Sequence, residues 1–550
     1  MKKITIILTA LLALSMQAGA QSKLFKLGQA VEVHTAILQE LNRSYVDSLP
    51  VERMNTAGIN AMLETLDPYT IYVPEEENEN FEMMIGKTYG GIGAIIYKPS
   101  KDMPVMINEP YANSPAAKAG LQCGDEILEI DGVSTIGLTA AESSDKMKGK
   151  PATQVYFHVR KVRSGEIKDI TITREKIHIP DIEYAALLDG TKTGYIRIGG
   201  FTEGLGADFR SRVKELRKQG MDKLVIDLRG NGGGMMNEAV NIVSAFVPKG
   251  SLVVSSKGNS LVGEQQFKTS LEPVDLELPV VVMVDSGSAS ASEIVSGALQ
   301  DLDRATIMGT RTFGKGLVQS IRPLPYNGQL KVTSAKYYTP SGRCVQAIDY
   351  SHRNEDGSVG HVPDSLISKF YTKNKREVYD GGGITPDVVV DDSISNTLLT
   401  QLMLKDMFFK YSVWYRSKHE SIGDDPAKFV FSDVDYKDFK DFLVREKFEY
   451  KSFSEESVED LIEVAKTEKY YDNISKDIET LLSKLKQDKD RDLERYRDEV
   501  TRWIVSYIMP RYFYEKGSIM FSINYDEEVK EAIKILKDEK RYNEILSPKK

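Results

Sequence analysis

Three serines and a lysine are the residues of this chain best placed to do chemistry. The segment Pro279–Gln319 reads PVVVMVDSGSASASEIVSGALQDLDRATIMGTRTFGKGLVQ. Pro279–Val284 is apolar on both faces and predicts a buried strand. Asp285-Ser286-Gly287 then signals a turn, and Ile294, Ala298 and Leu299 set up a helical period. Ser288, Ser290 and Ser292 therefore stand at a helix start, where unpaired amides and the positive dipole end favour developing negative charge. Lys315 follows between two glycines, with Gln319 four residues further on. A serine and a lysine with no histidine nearby suggest a Ser/Lys hydrolase.

Plainer readings compete. Gly309 to Gly314-Lys315 matches most of a phosphate-binding loop, but Gly316 stands where the magnesium-holding Ser or Thr belongs, and LVQSI reads as a strand. Serines at a helix start are more often N-caps than nucleophiles. The S-x-x-K pairs Ser143/Lys146 and Ser211/Lys214 fall in polar, helix-like surface segments. The chemistry nevertheless suits Lys315. A serine needs a base to take its proton, and lysine serves only when neutral, which burial without a carboxylate partner favours. The stretch Thr312–Val318 contains no acidic residue. A glutamine at 319 can hold the amine without adding charge.

Further segments narrow the choice. Lys223–Leu228 predicts a second buried strand, ending in Arg229-Gly230-Asn231-Gly232-Gly233-Gly234. LDPYT at Leu66–Thr70, DLRGNGGG at Asp227–Gly234, GSASASE at Gly287–Glu293, GKGLVQ at Gly314–Gln319 and GGGITPD at Gly381–Asp387 occur in that order. Together they resemble the C-terminal processing peptidases, or tail-specific proteases, over roughly residues 25 to 395. The resemblance implies Ser290 as nucleophile, Lys315 as general base and Gln319 as the group that orients it. It also implies an oxyanion hole made by the Gly232 or Gly233 amide with that of Ala291, glycines letting backbone amides converge on one point. Arg229 and Glu293 are read as pairing or capping residues near the site. Tyr337–Arg343 resembles another segment of the family near its cleft, although Cys344 stands where small polar residues are usual.

Upstream, GGIGA at Gly90–Ala94, AGL at Ala119–Leu121, GDEIL at Gly124–Leu128 and IDG at Ile130–Gly132 resemble a circularly permuted PDZ domain. That implies a loop of Gly91, Ile92, Gly93 and Ala94 offering amides to a peptide's C-terminal carboxylate, beside a strand that pairs with the peptide.

The elements that must position these groups follow. Strands alternating with helical stretches such as Gly206–Lys218 and Glu238–Phe246 argue an α/β sheet buried on both faces. The whole chain, 550 residues long, is expected to be multidomain, α+β and α/β. The expected order is a signal peptide (1–20), an N-terminal helical region (21–85), the PDZ domain (86–178), the catalytic domain (179–395) and a helical extension (396–550). The resemblance makes the catalytic domain crotonase/Clp-protease-like. The extension is expected either to support the core or to dimerise, the terminal helical regions being the candidates for a homo-oligomer.

MKKITIILTALLALSMQAGAQS has a basic start, a short apolar stretch and Ala18-Gly19-Ala20, which predicts secretory export with cleavage after Ala20. No other run is apolar and long enough to cross a membrane, so the periplasm is the expected location. The net charge of −9 argues against nucleic acid as a partner. Two cysteines, Cys123 and Cys344, read as isolated thiols, and six scattered histidines form no metal cluster, so no metal or cofactor is expected. The combined expectation is an exported serine endopeptidase that captures unfolded protein C-termini. The rival is a catalytically silent or latent PDZ scaffold that binds tails without cutting.

Overall fold

A computed structural model describes residues 24–390, 396–489 and 491–548; the expected signal segment, 1–20, lies outside the described residues. The chain divides into two compact units, Met1–Tyr72 and Val73–Lys550. In the first, residues 24–44 and α1 (Val51–Glu64) are helical, and the apolar side chains of Leu24, Phe25, Leu27, Val31 and Ile37 are largely exposed.

The second unit begins with the PDZ module. β1 (Thr88–Gly91) pairs with a strand at Glu175–His178, while β2 (Ala94–Tyr97), β3 (Val105–Pro110), β4 (Glu126–Ile130), β5 (Gln154–Arg160) and β6 (Ile167–Thr173) follow one another across an antiparallel sheet. Alternation of buried and exposed residues in β5 (Val155, Phe157 and Val159 inward) is the signature of a sheet with one packed face. These side chains meet Ile92, Val105, Ile107, Ile127 and Met147 in a core of their own. β2 is the edge strand, and α2 (Ala140–Met147), started by a Thr139/Glu142 capping box, lies alongside it.

The catalytic module is built around a six-stranded sheet, with the strands Leu252–Gly258, Glu264–Lys268, Leu317–Pro323 and Gln329–Tyr338 in a second sheet. β7 (Ile182–Leu187) runs antiparallel to β8 (Thr193–Ile198), after which β9 (Lys223–Asp227), β10 (Val280–Val284), β11 (Thr306–Gly309) and β12 (Val388–Val389) continue in parallel. Alternate strand residues face opposite ways. Leu224, Ile226, Val280, Val282 and Ile307 pack with α3 (Leu205–Lys218), α4 (Met236–Val243) and α5 (Ala291–Asp301). The other face, made by Tyr195, Val225, Val281, Met283 and Met308, is covered by the end of the chain. There α6 (Pro510–Tyr525), α7 (Glu527–Lys537) and α8 (Glu539–Ile545) supply Ile519, Ile523, Val529, Ala532, Ile535, Leu536 and Tyr542. Both faces are thus buried, as the apolar strands demand, but the cover on one of them comes from the helical extension. Of its two expected roles, support of the core is the one visible in the packing.

The extension also touches the PDZ module. The Tyr97 hydroxyl on β2 donates to Asp406 (2.5 Å), and its ring lies 4.1 Å from that of Phe409. Arg511 donates to the Asn108 carbonyl at 2.6 Å, and the Glu515 amide donates to Glu109 at 2.7 Å. Between the two, Tyr514 breaks α6 with φ 59°. Cys123 and Cys344 are both free thiols. No helix among the described residues is long and apolar enough to cross a membrane.

Candidate active site

The site is built where two strand ends meet. β10 stops at Asp285, whose Oδ1 accepts from the amides of Gly230 (2.8 Å) and Gly287 (2.9 Å), binding the turn after β10 to the glycine loop after β9. The flanking serines tighten this contact. Ser288 Oγ donates to the Leu228 carbonyl (2.8 Å) and Ser292 Oγ to the Asn231 carbonyl (2.9 Å). Both serines are completely buried. Ser290 differs: it is partly exposed, and its backbone sits at φ 55°, ψ −111°. A non-glycine residue held there stores strain, and such strain clusters at functional positions.

Glu293, one turn into α5, ties this serine to the lysine loop. Its Oε2 accepts from the amides of both Ser290 and Lys315, each at 2.9 Å, so the two backbone nitrogens lie within twice that distance of each other. Oε1 accepts from Thr312 Oγ1 and the Gly314 amide, both at 2.7 Å. Burial pushes this carboxyl above its ordinary value, opposed by the Thr312 hydroxyl and the three amides. Four donors match the acceptor capacity of an ionised carboxylate. The Ser290 carbonyl accepts from the Tyr337 hydroxyl at 3.2 Å, and the Ser288 carbonyl from the Phe313 amide at 3.0 Å.

The glycine loop closes over the same turn. A Cβ on Gly233 (φ +95°) would stand 2.6 Å from the Ala289 carbonyl oxygen and 2.8 Å from both the Ala291 nitrogen and Ser290 Cβ. Only glycine allows this approach. The Gly233 amide donates to Asn231 Oδ1 at 2.9 Å. Among the described residues the Gly232 and Ala291 amides have no acceptor.

The sequence pattern of Peptidase family S41 matches residues 192–352, that of a PDZ domain 106–161, and that of the probable PDZ-protease C-terminal helical domain 398–536. A carboxy-terminal-processing protease of Bartonella bacilliformis is 37% identical over 316 residues, 57% of this chain and 71% of that protein. The chain belongs to the carboxy-terminal-processing protease family. A probable CtpA-like serine protease of Staphylococcus aureus is 33% identical over 347 residues, 62% of this chain and 68% of the relative. The solved structure of a photosystem II D1 C-terminal processing protease shares 28% identity, covering 65% of this chain and 86% of that one at a TM-score of 0.36.

The chain is thus a carboxy-terminal-processing serine protease with a PDZ domain. In the loop Gly91 to Ala94, the Ile92 carbonyl accepts from the Ala116 amide and the Gly93 carbonyl from the Tyr111 amide, both at 2.9 Å. Gly91, Ile92 and Gly93 are buried, and Ala94 opens β2. With the carbonyls taken, the amides of Ile92 and Gly93 have no acceptor among the described residues. They directly precede β2, the edge strand that α2 contacts.

Other expected members of the site are placed as follows. Gln319 lies at a register shift in the strand Leu317–Pro323, with its amide nitrogen 3.4 Å from Thr333 Oγ1. Cys344 packs behind the lysine loop, its Sγ 3.2 Å from where a Gly316 Cβ would stand, and burial pushes its thiol up. The histidines whose rings have polar partners find them elsewhere: His158 on Asp169, His178 on Thr88, His352 on Asp349 and His419 on the Tyr415 carbonyl. Of the two other S-x-x-K serines, Ser143 lies buried in α2 of the PDZ module. The sequence read Glu293 as a cap, which it is, but missed that the same carboxylate carries the lysine loop. The available signal was an acidic residue among the small and apolar residues of a helix start; once buried, it requires several partners.

Proposed function

We propose that this protease is exported and cleaves by a Ser/Lys dyad after its PDZ domain has captured the C-terminus of an unfolded protein. Ser290 Oγ attacks the peptide carbonyl, and neutral Lys315 takes its proton and returns it to the leaving amine. An acyl-enzyme results, which water then releases. Gln319 orients the lysine from the adjoining strand. The amides of Gly232 and Ala291 stabilise the oxyanion, Gly233 being committed to Asn231. The substrate's C-terminal carboxylate is held by the Gly91–Ala94 loop, and its last residues extend along β2.

One observation supports this reading most strongly. Of the three serines at the start of α5, two are buried with their hydroxyls spent on the glycine loop. Only Ser290 is partly exposed and strained, and Glu293 joins its amide to that of Lys315.

The test is cleavage of an unfolded protein with an apolar C-terminus by the parent, Ser290→Ala and Lys315→Ala. The parent is expected to cut, and each variant to lose at least ~10³-fold in kcat, since such groups act as a unit. Cleavage that survives Lys315→Ala would remove the lysine as base. Tail binding without cleavage by the parent would favour the latent scaffold instead.

A further inference from the structure

Arg229 begins the glycine loop, and its side chain is held by three carboxylates from two distant parts of the chain. Its backbone amide and Nε donate to Asp227 Oδ1, both at 3.0 Å, and Nη2 donates to Asp227 Oδ2 at 2.7 Å. Asp227 ends β9 and is completely buried; burial pushes its carboxyl up, but the Arg229 guanidinium, with Arg197 and the Tyr195 hydroxyl, holds it below the usual range. The remaining donors of Arg229 reach the extension. Nη2 donates to Asp526 Oδ2 (2.7 Å) and Nη1 to Glu528 Oε2.

These two acids are themselves fixed. Asp526 caps α7, its Oδ1 accepting from the Val529 amide at 3.0 Å, so the carboxylate that starts the helix also holds the arginine. Glu528 is 5% exposed, and α7 is anchored beside it by Val529, Ala532 and Ile535. A cavity of about 230 Å³ opens next to the cluster, lined by Arg197, Arg229, Glu515 and Asp526, so a released guanidinium has room to swing away. Asp227 alone already pairs Arg229. A buried carboxylate (Glu528) and a half-buried one (Asp526) are a poor way to add stability, because desolvation offsets much of the attraction, but they do fix position. What they fix lies one and two residues downstream. The Gly230 amide is bound to Asp285, and the Asn231 carbonyl accepts from Ala289 and Ser292 on either side of Ser290.

We propose that Asp526 and Glu528 are positioning residues for catalysis, holding the oxyanion loop through Arg229 so that the C-terminal extension completes the active site. This rests on the reading of Gly230–Gly233 as that loop. The test uses the full-length chain carrying Asp526→Asn with Glu528→Gln, which keep size and acceptors but remove charge. The kcat on an unfolded protein is expected to fall at least about tenfold, KM and tail-peptide affinity staying within about twofold. Affinity for a peptide boronate, whose tetrahedral oxygen occupies the oxyanion position, should fall by the same factor, with the melting midpoint little changed. Unchanged kcat, or a lower kcat without the matching loss of boronate affinity, would overturn the proposal. If the double variant does not fold, Glu528→Gln alone is measured in the same way, and failure of that variant to fold would reduce the cluster to a structural pairing and overturn the proposal too. Ser290→Ala separates the two readings. If it stays active, the active-site assignment fails; if it is inert while the carboxylate variants match the parent, only the positioning role fails.

Discussion

Two glycine loops in this molecule have the same sequence texture and opposite settings. Gly91–Ala94 is buried, anchored from beneath by the Ala116 and Tyr111 amides, and belongs to one small core. Gly230–Gly234 lies largely at the surface, laced to the turn that carries Ser290 by Ser288 and Ser292 and tied through Arg229 to a helix about three hundred residues later. The first loop leaves the Ile92 and Gly93 amides without an acceptor among the described residues, and the second the Gly232 amide, beside that of Ala291 on α5. The difference suits the charge each is proposed to meet. A peptide's C-terminal carboxylate is a stable anion that a small module can hold alone, whereas an oxyanion exists only during the reaction and needs donors fixed in advance. A glycine run therefore reports backbone freedom, and its anchors report its use.

The comparison breaks most visibly at Gly233. An alanine there would face φ +95° and a Cβ 2.6 Å from the Ala289 carbonyl oxygen. Either the glycine loop or the Ser290 turn must move. Gly233→Ala is expected to lower kcat by ~10²–10³-fold, comparable to loss of an oxyanion donor, while tail-peptide binding by the PDZ module stays intact. Steady-state kinetics beside a peptide-binding titration measures both. Equal loss of binding and turnover would mean the two loops are not separate in function.

The docking of the PDZ module on α6 is testable by pH. Glu109 ends β3 beside Tyr111 and accepts from the Glu515 amide at the break in α6. Burial pushes its carboxyl up to about 7, against the Glu515 amide and Arg511. A carboxyl whose value is raised in the docked state favours docking most below its ordinary value of 4.5, and loses that favour as pH rises through 7. The shift corresponds to on the order of 3 kcal/mol at most. Protection from hydrogen exchange, relative to the intrinsic rate at each pH, should fall at the contact between the PDZ module and α6 from pH 5 to 8, and Glu109→Gln should flatten the difference. Identical pH profiles for the two would remove Glu109 from the contact.

How much of this was legible in the sequence depends on the range of the interaction. The apolar run Val280–Val284, its turn and the helix start at Ala291 form as local pattern requires. Periodicity in the extension, with Val529, Ile533 and Leu536 at helical spacing, is equally local. What that stripe covers is not: Val529 and Leu536 lie on Val225, Val281 and Met283, a partnership no spacing encodes. The same holds within the site. Sequence makes Ser288, Ser290 and Ser292 equivalent caps, and they separate only when the loop after β9 arrives to occupy two of the hydroxyls. Thr312–Val318 carries no acid of its own, yet the fold brings Glu293 against its backbone.

A smaller effect is expected at the capture loop. Gly93→Ala would place a Cβ 2.6 Å from Ser114 Cβ and 3.0 Å from Ile177 Cδ1, at φ +72°. Strain and crowding together should cost about 2 kcal/mol, taken largely from the PDZ core. Tail affinity should weaken while hydrolysis of a small ester, which needs no tail, is unchanged. A parallel loss of esterase activity would show that the PDZ fold supports the catalytic module directly.

The smallest effect is expected at Gly232, and it sharpens the comparison most. A Cβ there meets nothing within 4 Å, and its backbone is not left-handed. Alanine keeps the amide, so an oxyanion donor at this position survives the change. Gly232→Ala should leave kcat within about threefold and stability within about 0.5 kcal/mol, although its neighbour Gly233 tolerates nothing. A large fall in kcat with stability unchanged would carry a different meaning: the loop would have to close past this Cβ when substrate binds, and the open setting described here would be a resting one. If kcat holds, the contrast between adjacent glycines locates function in the amide of one and in the missing side chain of the other.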